Sequence, residues 1–314
     1  MTKICISPGD PAGIGPEITL KALAENRKIQ KKFVLLGDGN FYEGLIKKLN
    51  LDLTLLEEES LESGISFKHF PLSNEVKLGK PDLANANYII EVLSYGALGC
   101  LSKKFKGLIT GPINKELINQ SGFEFSGHTE FLADISNVKK VVMLLMNEKL
   151  KIALLTTHIP LSEVPSKVTQ KNLQDTVEII SYELENTLKI KNPAICLLGL
   201  NPHAGEGGYL GGEEQEILKP FIKSSNKNLY GPISADTAFI ENNISKYDIF
   251  LAMFHDQGLP VIKSMGFGKT LNITLGLPFF RISVDHGTAY EIAGQNIADF
   301  SSMNEALKVS FSLI

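Results

Sequence analysis

Eight short apolar runs, each followed by a Gly- or Pro-rich turn, punctuate this chain and leave few folds open to it. They are KICIS, FVLLG, GLITG, VVMLL, KIALLTT, AICLLGL, DIFLAMF and NITLGL. Each has strand length, and several are apolar at successive positions instead of alternate ones. A strand with one wet face alternates. A strand covered on both faces does not, and such strands belong to mostly parallel sheets packed between helices. Between the runs the spacing changes: NLQDTVEIISYELENTLK puts Leu173, Val177, Ile180 and Leu184 on one helical face. Strands alternating with helices predict an α/β fold with right-handed crossovers.

The chain has 314 residues, enough for one large or two modest α/β domains, and its 43% hydrophobic content can fill real cores. Its net charge of -4 is spread over interspersed acids and bases, which excludes a basic face and hence a nucleic-acid partner. No apolar run approaches the roughly 20 residues needed to span a bilayer, so no membrane partner is expected. The opening MTKICISPGDPAG has no long apolar stretch before its first Gly and Pro, unlike a secretory signal. Cys5, Cys100 and Cys196 are far apart and lie in apolar or small-residue surroundings. They read as buried thiols in a reducing compartment, which predicts a cytoplasmic protein. Residues 47–80 are the least regular, and EEES (residues 57–60) reads as a solvated loop or helix face. With no repeat and no low-complexity linker, a second domain would arise by the chain crossing over and returning.

The same runs place the reactive side chains. KIALLTT leads into His158-Ile159-Pro160, and AICLLGL into Asn201-Pro202-His203 and the segment Ala204-Gly205-Glu206-Gly207-Gly208. DIFLAMF leads into His255-Asp256-Gln257-Gly258. Three of the six histidines therefore stand where a buried strand gives way to a turn. In open α/β sheets ligands bind beyond the carboxyl ends of the strands, so these side chains can converge. Three imidazoles with an open position suit a catalytic divalent ion, zinc best, with cobalt or another divalent also matching. A single strand-end histidine merely caps a turn; three in one topological position favour a shared site.

A second group suits an anion. Ser126-Gly127-His128-Thr129-Glu130 precedes the helical segment FLADIS, where free backbone N–H groups attract negative charge and His128 and Thr129 add donors. Alone, the segment is a plain helix start with Ser126 or Thr129 as N-cap. Lys263, Asn272 and Arg281 lie around the run NITLGL. Cations beside an apolar strand need an anionic partner if they point inward, and snorkel to solvent if they do not. The loop GDPAGIGPEI after the first run has glycines that permit tight turns near a ligand. It is not a dinucleotide fingerprint, because Ile18 stands where the third glycine belongs. Thr110-Gly111-Pro112-Ile113-Asn114-Lys115 is either a further polar strand-end loop or only a tight turn into a helix.

From GDPAGIGPEI through TGPINK, SGHTEF, TTHIPL, NPHAGEGG, GPISADTAF and MFHDQGLP to NITLGLPFFRISVDHGTAYEIAG, the chain resembles the 4-hydroxythreonine-4-phosphate dehydrogenases of the vitamin B6 pathway. Only residues 40–80 match poorly. GDPAGIGPE is also similar to the isocitrate and isopropylmalate dehydrogenases, which oxidise a hydroxy acid and then decarboxylate it. The resemblance implies two α/β/α domains with the active site in the cleft between them. One domain comprises residues 1–130 with 284–314, and the other, residues 131–283, carries the main dimer contact. It implies that His158, His203 and His255 bind one divalent metal (Zn, Mg or Co), and that His128, Thr129, Lys263, Asn272 and Arg281 bind the phosphorylated substrate. Phe254 stands where the family often has Tyr, which touches none of these roles.

The implied activity is NAD- or NADP-linked oxidation and decarboxylation of 4-phosphooxy-L-threonine to 3-amino-2-oxopropyl phosphate, in a homodimer with shared active sites. Lys115, Asp236, Asp256 and His286 are the acid–base candidates, and no residue is assigned to the cofactor. A sister dehydrogenase acting on D-threonate or D-erythronate 4-phosphate is the near alternative. A phosphate-acyl transferase or a non-catalytic phosphate-binding module is the distant one, and the three histidines argue against both.

Overall fold

Each of the eight apolar runs becomes a strand in the computed structural model, which describes residues 3–57, 64–266 and 268–313. Along the chain the strands are β1 (Lys3–Ser7), β2 (Phe33–Gly37), β3 (Leu55–Glu57), β4 (Ile65–His69), β5 (Phe105–Thr110) and β6 (Val142–Met146). They continue as β7 (Lys151–Leu154), β8 (Ile195–Leu198), β9 (Leu229–Ile233), β10 (Ile249–Ala252), β11 (Leu271–Leu275) and β12 (Phe280–Val284). Of the EEES segment, Glu57 ends β3 and residues 58–60 lie outside the described residues.

The chain forms two compact units, Met1–Lys139 with Leu277–Ile314, and Lys140–Gly276. β12 lies wholly within the first of these units. It pairs with β5 from Phe280 through Ser283, so Leu277 onward belongs wholly to the first unit. There the strand order is β3-β4-β2-β1-β5-β12, with every neighbour parallel. Ile4, Cys5 and Ile6 of β1 and Val34, Leu35 and Leu36 of β2 are all fully buried, the burial at successive positions that their sequence predicts. The helix Ala86–Leu101 lies against β1 and β5, and the helix Ser301–Ser312 against β5 and β12.

Backbone and side-chain bonds close this unit from its two chain segments. Ile14 N–H donates to Thr288 O at 2.9 Å, and the Tyr290 hydroxyl donates to buried Asp10 at 2.6 Å. The loops after β1 and β5 meet backbone to backbone. Asp10 N–H donates to Pro112 O at 2.9 Å, and a Cβ on Gly9 or Gly111 would overlap the Pro112 or Pro8 carbonyl. The neighbour for which these glycines make room is backbone.

The second unit has the order β11-β6-β7-β10-β8-β9. β6 is antiparallel to both β11 and β7, and β7, β10, β8 and β9 are parallel. The antiparallel pair has a local cause, since the connection from Met146 to Lys151 is far too short for a crossover helix. Asn147 builds that turn: its Oδ1 accepts from Lys149 and Leu150 N–H at 2.9 and 3.0 Å, and its Nδ2 donates to Ile262 O at 3.2 Å. The helix Gln170–Asn186 starts at Thr169, whose side chain accepts from Asn172 N–H, and it buries the predicted face of Leu173, Val177, Ile180 and Leu184. All three cysteines are buried thiols, and burial pushes Cys196 up to about 12. Among the described residues no helix is long and apolar enough to cross a membrane.

Asn147→Ala removes the turn acceptor and leaves Ile262 O without that donor. The variant should lose about 1–2 kcal/mol, read as a lower urea midpoint with an unchanged slope. An unchanged midpoint would show that the hairpin closes without its Asn.

Candidate functional site

Of the five substrate candidates, Arg281, His128 and Thr129 lie in the first unit, on β12 and the helix His128–Ile135. Arg281 is the second residue of β12, level with Leu108 of β5, and only 2% of it is exposed. Its Nε and Nη2 both donate to Thr110 Oγ1, at 3.1 and 2.8 Å, so a fully buried threonine at the end of β5 holds the guanidinium. Burial pulls the Arg281 pKa down to about 10, against the upward pull of Glu130. His128 opens its helix beside this cation, with its ring edge-on to Phe125 at 6.1 Å. Burial first, and then the Arg281 charge, hold His128 well below its ordinary value of 6.5. Its Nε2 is shielded from solvent and has no hydrogen-bond partner. A buried cation, an orphaned imidazole nitrogen and a helix N-terminus together suit an anion with several oxygens.

The histidines belong to the second unit and leave three adjacent parallel strands. β7, β10 and β8 lie side by side, with Leu154 level with Ala252 and Leu197 level with Leu251. His158 follows β7, His255 follows β10 and His203 follows β8. Two side chains that the sequence did not single out stitch these ends together. Thr156 Oγ1 donates to Met253 O at 2.7 Å, joining the ends of β7 and β10. Gln257 accepts from Met253 N–H at 2.7 Å and donates to Gly199 O at 2.6 Å, joining the ends of β10 and β8.

The rings of His158 and His255 stand 5.6 Å apart. His203 is not grouped with them: its Nδ1 lies 3.7 Å from Asp236, on an exposed turn whose residues His203 through Gly207 have φ between 42 and 77°. Each non-glycine residue in that left-handed conformation costs about 1–2 kcal/mol unless its surroundings enforce it. Among the described residues no three His, Cys, Asp or Glu side chains form a ready ligand group. The donor chemistry still suits a divalent ion. Imidazoles leave three neighbouring strand ends, and two carry a carboxylate near Nδ1, Asp256 at 2.6 Å from His255 and Asp236 near His203. That is how ligating histidines are oriented, with Nε2 left for the metal.

The acid–base candidates separate accordingly. Asp256 and Asp236 attend histidines, and the Ser234 hydroxyl, more than His203, holds Asp236 below the usual carboxylate range. Lys115 is exposed in the first turn of the helix Lys115–Gln120. His286 has a shielded Nε2 without a partner, while its Nδ1 lies 3.1 Å from Gly287 O. Of the remaining substrate candidates, Thr129 sits in the first turn of the His128 helix, Lys263 is exposed on the helix His255–Met265, and Asn272 is half-buried on β11.

This chain is similar to known proteins over nearly its whole length. The family described as pyridoxal phosphate biosynthetic protein PdxA matches residues 28–310. A 4-hydroxythreonine-4-phosphate dehydrogenase of Saccharophagus degradans is 43% identical over 313 residues, covering 97% of this chain and 93% of the relative. One of Yersinia pseudotuberculosis is 41% identical over 322 residues, covering 99% and 97%. The crystal structure of 4-hydroxythreonine-4-phosphate dehydrogenase from Klebsiella pneumoniae, 31% identical, matches with a TM-score of 0.88 over 100% of this chain and 99% of that one.

The shielded ring of His128 has a pH signature. The unfolded chain protonates this histidine as the pH falls through about 6.5, while the folded chain keeps it neutral well below that. The stability that this group contributes is complete above pH 6.5 and is lost as the pH falls below it. Urea titrations from pH 7 to about pH 5 should therefore show a steeper loss for the wild type than for His128→Gln. Parallel slopes would assign the titration to another group.

Proposed function

The chain belongs to the PdxA family of pyridoxal phosphate biosynthetic proteins, and we propose that it oxidises 4-phosphooxy-L-threonine with NAD or NADP and releases carbon dioxide, giving 3-amino-2-oxopropyl phosphate. The observation that carries this is the receptor around Arg281, a buried cation beside the orphaned Nε2 of His128, in a chain of this family. A phosphate monoester supplies what both groups call for.

Arg281, fixed by Thr110, attracts the phosphate, and His128 Nε2 with the Thr129 hydroxyl bonds its oxygens. Lys263 and Asn272 bind the same substrate. His158, His203 and His255 would hold the divalent metal, with Asp256 and Asp236 orienting two of the imidazoles. A divalent ion held there would supply Lewis acidity for the oxidation and decarboxylation, and the nicotinamide would supply the hydride acceptor. Because the aspartates attend histidines, the hydroxyl proton falls to Lys115 or His286. Anchoring the phosphate end fixes the reacting carbon, so binding energy is converted into positioning. The working enzyme is a homodimer with shared active sites, in which the unit Lys140–Gly276 supplies the main contact.

The test is NADH formation by purified protein with 4-phosphooxy-L-threonine, against D-threonate and D-erythronate 4-phosphates. Preference for the amino substrate supports the proposal, and preference for a hydroxy substrate moves it to the sister activity. Chelation should silence the enzyme, and zinc, cobalt or magnesium should restore it. His203→Ala should abolish both metal retention and turnover with the fold intact. Full turnover by metal-free protein would remove the histidines from the mechanism. Arg281→Lys cannot reproduce the two-donor grip on Thr110 or a forked grip on phosphate, and should weaken the phosphorylated substrate by about 1–3 kcal/mol. Unchanged kinetics would place Arg281 outside the site.

A further inference from the structure

The turn Pro202–Gly208 carries His203 through six successive residues of positive φ, and three of them, His203, Ala204 and Glu206, are not glycine. Such a run does not hold itself. Glu214 is 0% exposed, and its carboxylate binds the start of the turn twice. Oε1 accepts from Asn201 N–H at 2.7 Å, and Oε2 accepts from Asn201 Nδ2 at 3.0 Å. Glu213 takes the same side-chain amide at 2.8 Å. The middle of the turn rests on the same group: a Cβ on Gly205, where φ is +77°, would lie 2.6 Å from Glu214 Oε2. Glu214 also opens a π-helical turn, Glu214–Leu218, a local widening that is uncommon in helices and concentrates at functional sites.

We propose that Glu214 is the positioning residue for His203, a role that rests on the histidine–metal assignment made above. Its carboxylate fixes Asn201, two residues before His203, and fills the space under Gly205, two residues after it. The imidazole is thereby held between two anchored points on a strained turn. A buried carboxylate is a costly way to fill space, and an apolar residue of that size would pack as well. What only the carboxylate provides at this place is two acceptors, one for the backbone and one for the side chain of Asn201. Gln257 holds Gly199, two residues before Asn201, to the loop of His255, so the turn that Glu214 shapes begins near a fixed point.

Glu214→Gln tests this with little change of volume, because it turns an amide N–H toward the donor Nδ2 of Asn201. Gly205→Ala tests it independently, by pushing the turn off the carboxylate. Cobalt-loaded full-length protein is titrated with a chelator, following the visible cobalt bands, alongside thermal unfolding and binding of inorganic phosphate. Both variants should release cobalt at about ten-fold lower chelator or less, at temperatures where each is still fully folded and binds phosphate as the wild type does. The double variant should be no worse than the weaker single one, because both break one lock. Variants that hold cobalt as tightly as the wild type would overturn the role of Glu214, as would cobalt loss that only follows loss of folded protein in both. A wild type that holds no cobalt is a different failure: it removes the metal assignment itself, and the role of Glu214 with it.

Discussion

Parallel strands in register end together, and a loop that leaves one end starts beside the loop that leaves the next. In the second unit this holds for β7, β10 and β8, and the peptide of Met253 is its centre. Its carbonyl accepts from Thr156 on one side, and its N–H donates to Gln257, which reaches on to Gly199. A one-residue slip of β10 would exchange its two faces and take Met253 out of both bonds. The placement of all three histidines therefore depends on strand register before it depends on any loop. The loops can then differ: His255 opens a helix, His158 sits on an exposed connection, and His203 rides a left-handed turn.

The first unit solves a different problem, how to keep a cation in a dry place. Arg281 is buried, its Nε and Nη2 donate to the neutral hydroxyl of Thr110, and the imidazole beside it is held neutral. A carboxylate in van der Waals contact would satisfy the guanidinium and fill the receptor permanently. Glu130 instead acts at the rim, exposed, raising the basicity of Arg281 without displacing what binds there.

The eight runs were legible as strands because burial on both faces writes itself as consecutive apolar residues, and the long helix because its period is complete. The other strands do not carry that run of consecutive apolar residues. β12 reads FRISV with Arg281 inside it, β9 holds Gly-Pro, β4 alternates, and β3 is three residues long. The antiparallel step at β6 was visible in principle, since its loop is too short for a crossover. In the candidate site, the strand-end histidines and the His128 segment stood out because position alone marks them. Their supports did not: Thr110 lies 171 residues from Arg281, and Gln257 and Gly199 are 58 apart. Asp236 and Asp256 were legible as polar residues near the chemistry, but not as partners of Nδ1, which only geometry tells apart from acids and bases.

The two chain segments of the first unit also set an order of assembly during synthesis. Residues 140–276 are contiguous, so the unit that bears the histidines has all its strands as soon as β11 leaves the ribosome. The first unit must wait: β5 has an unfilled edge until β12 is made, Asp10 lacks Tyr290, and the helix Ser301–Ser312 is the last element to emerge. Arg281 arrives with β12. A nascent chain can thus fold its histidine unit while the unit of Arg281 is still a parallel sheet with one side open, and a chain stopped before residue 280 would own the first and never the second.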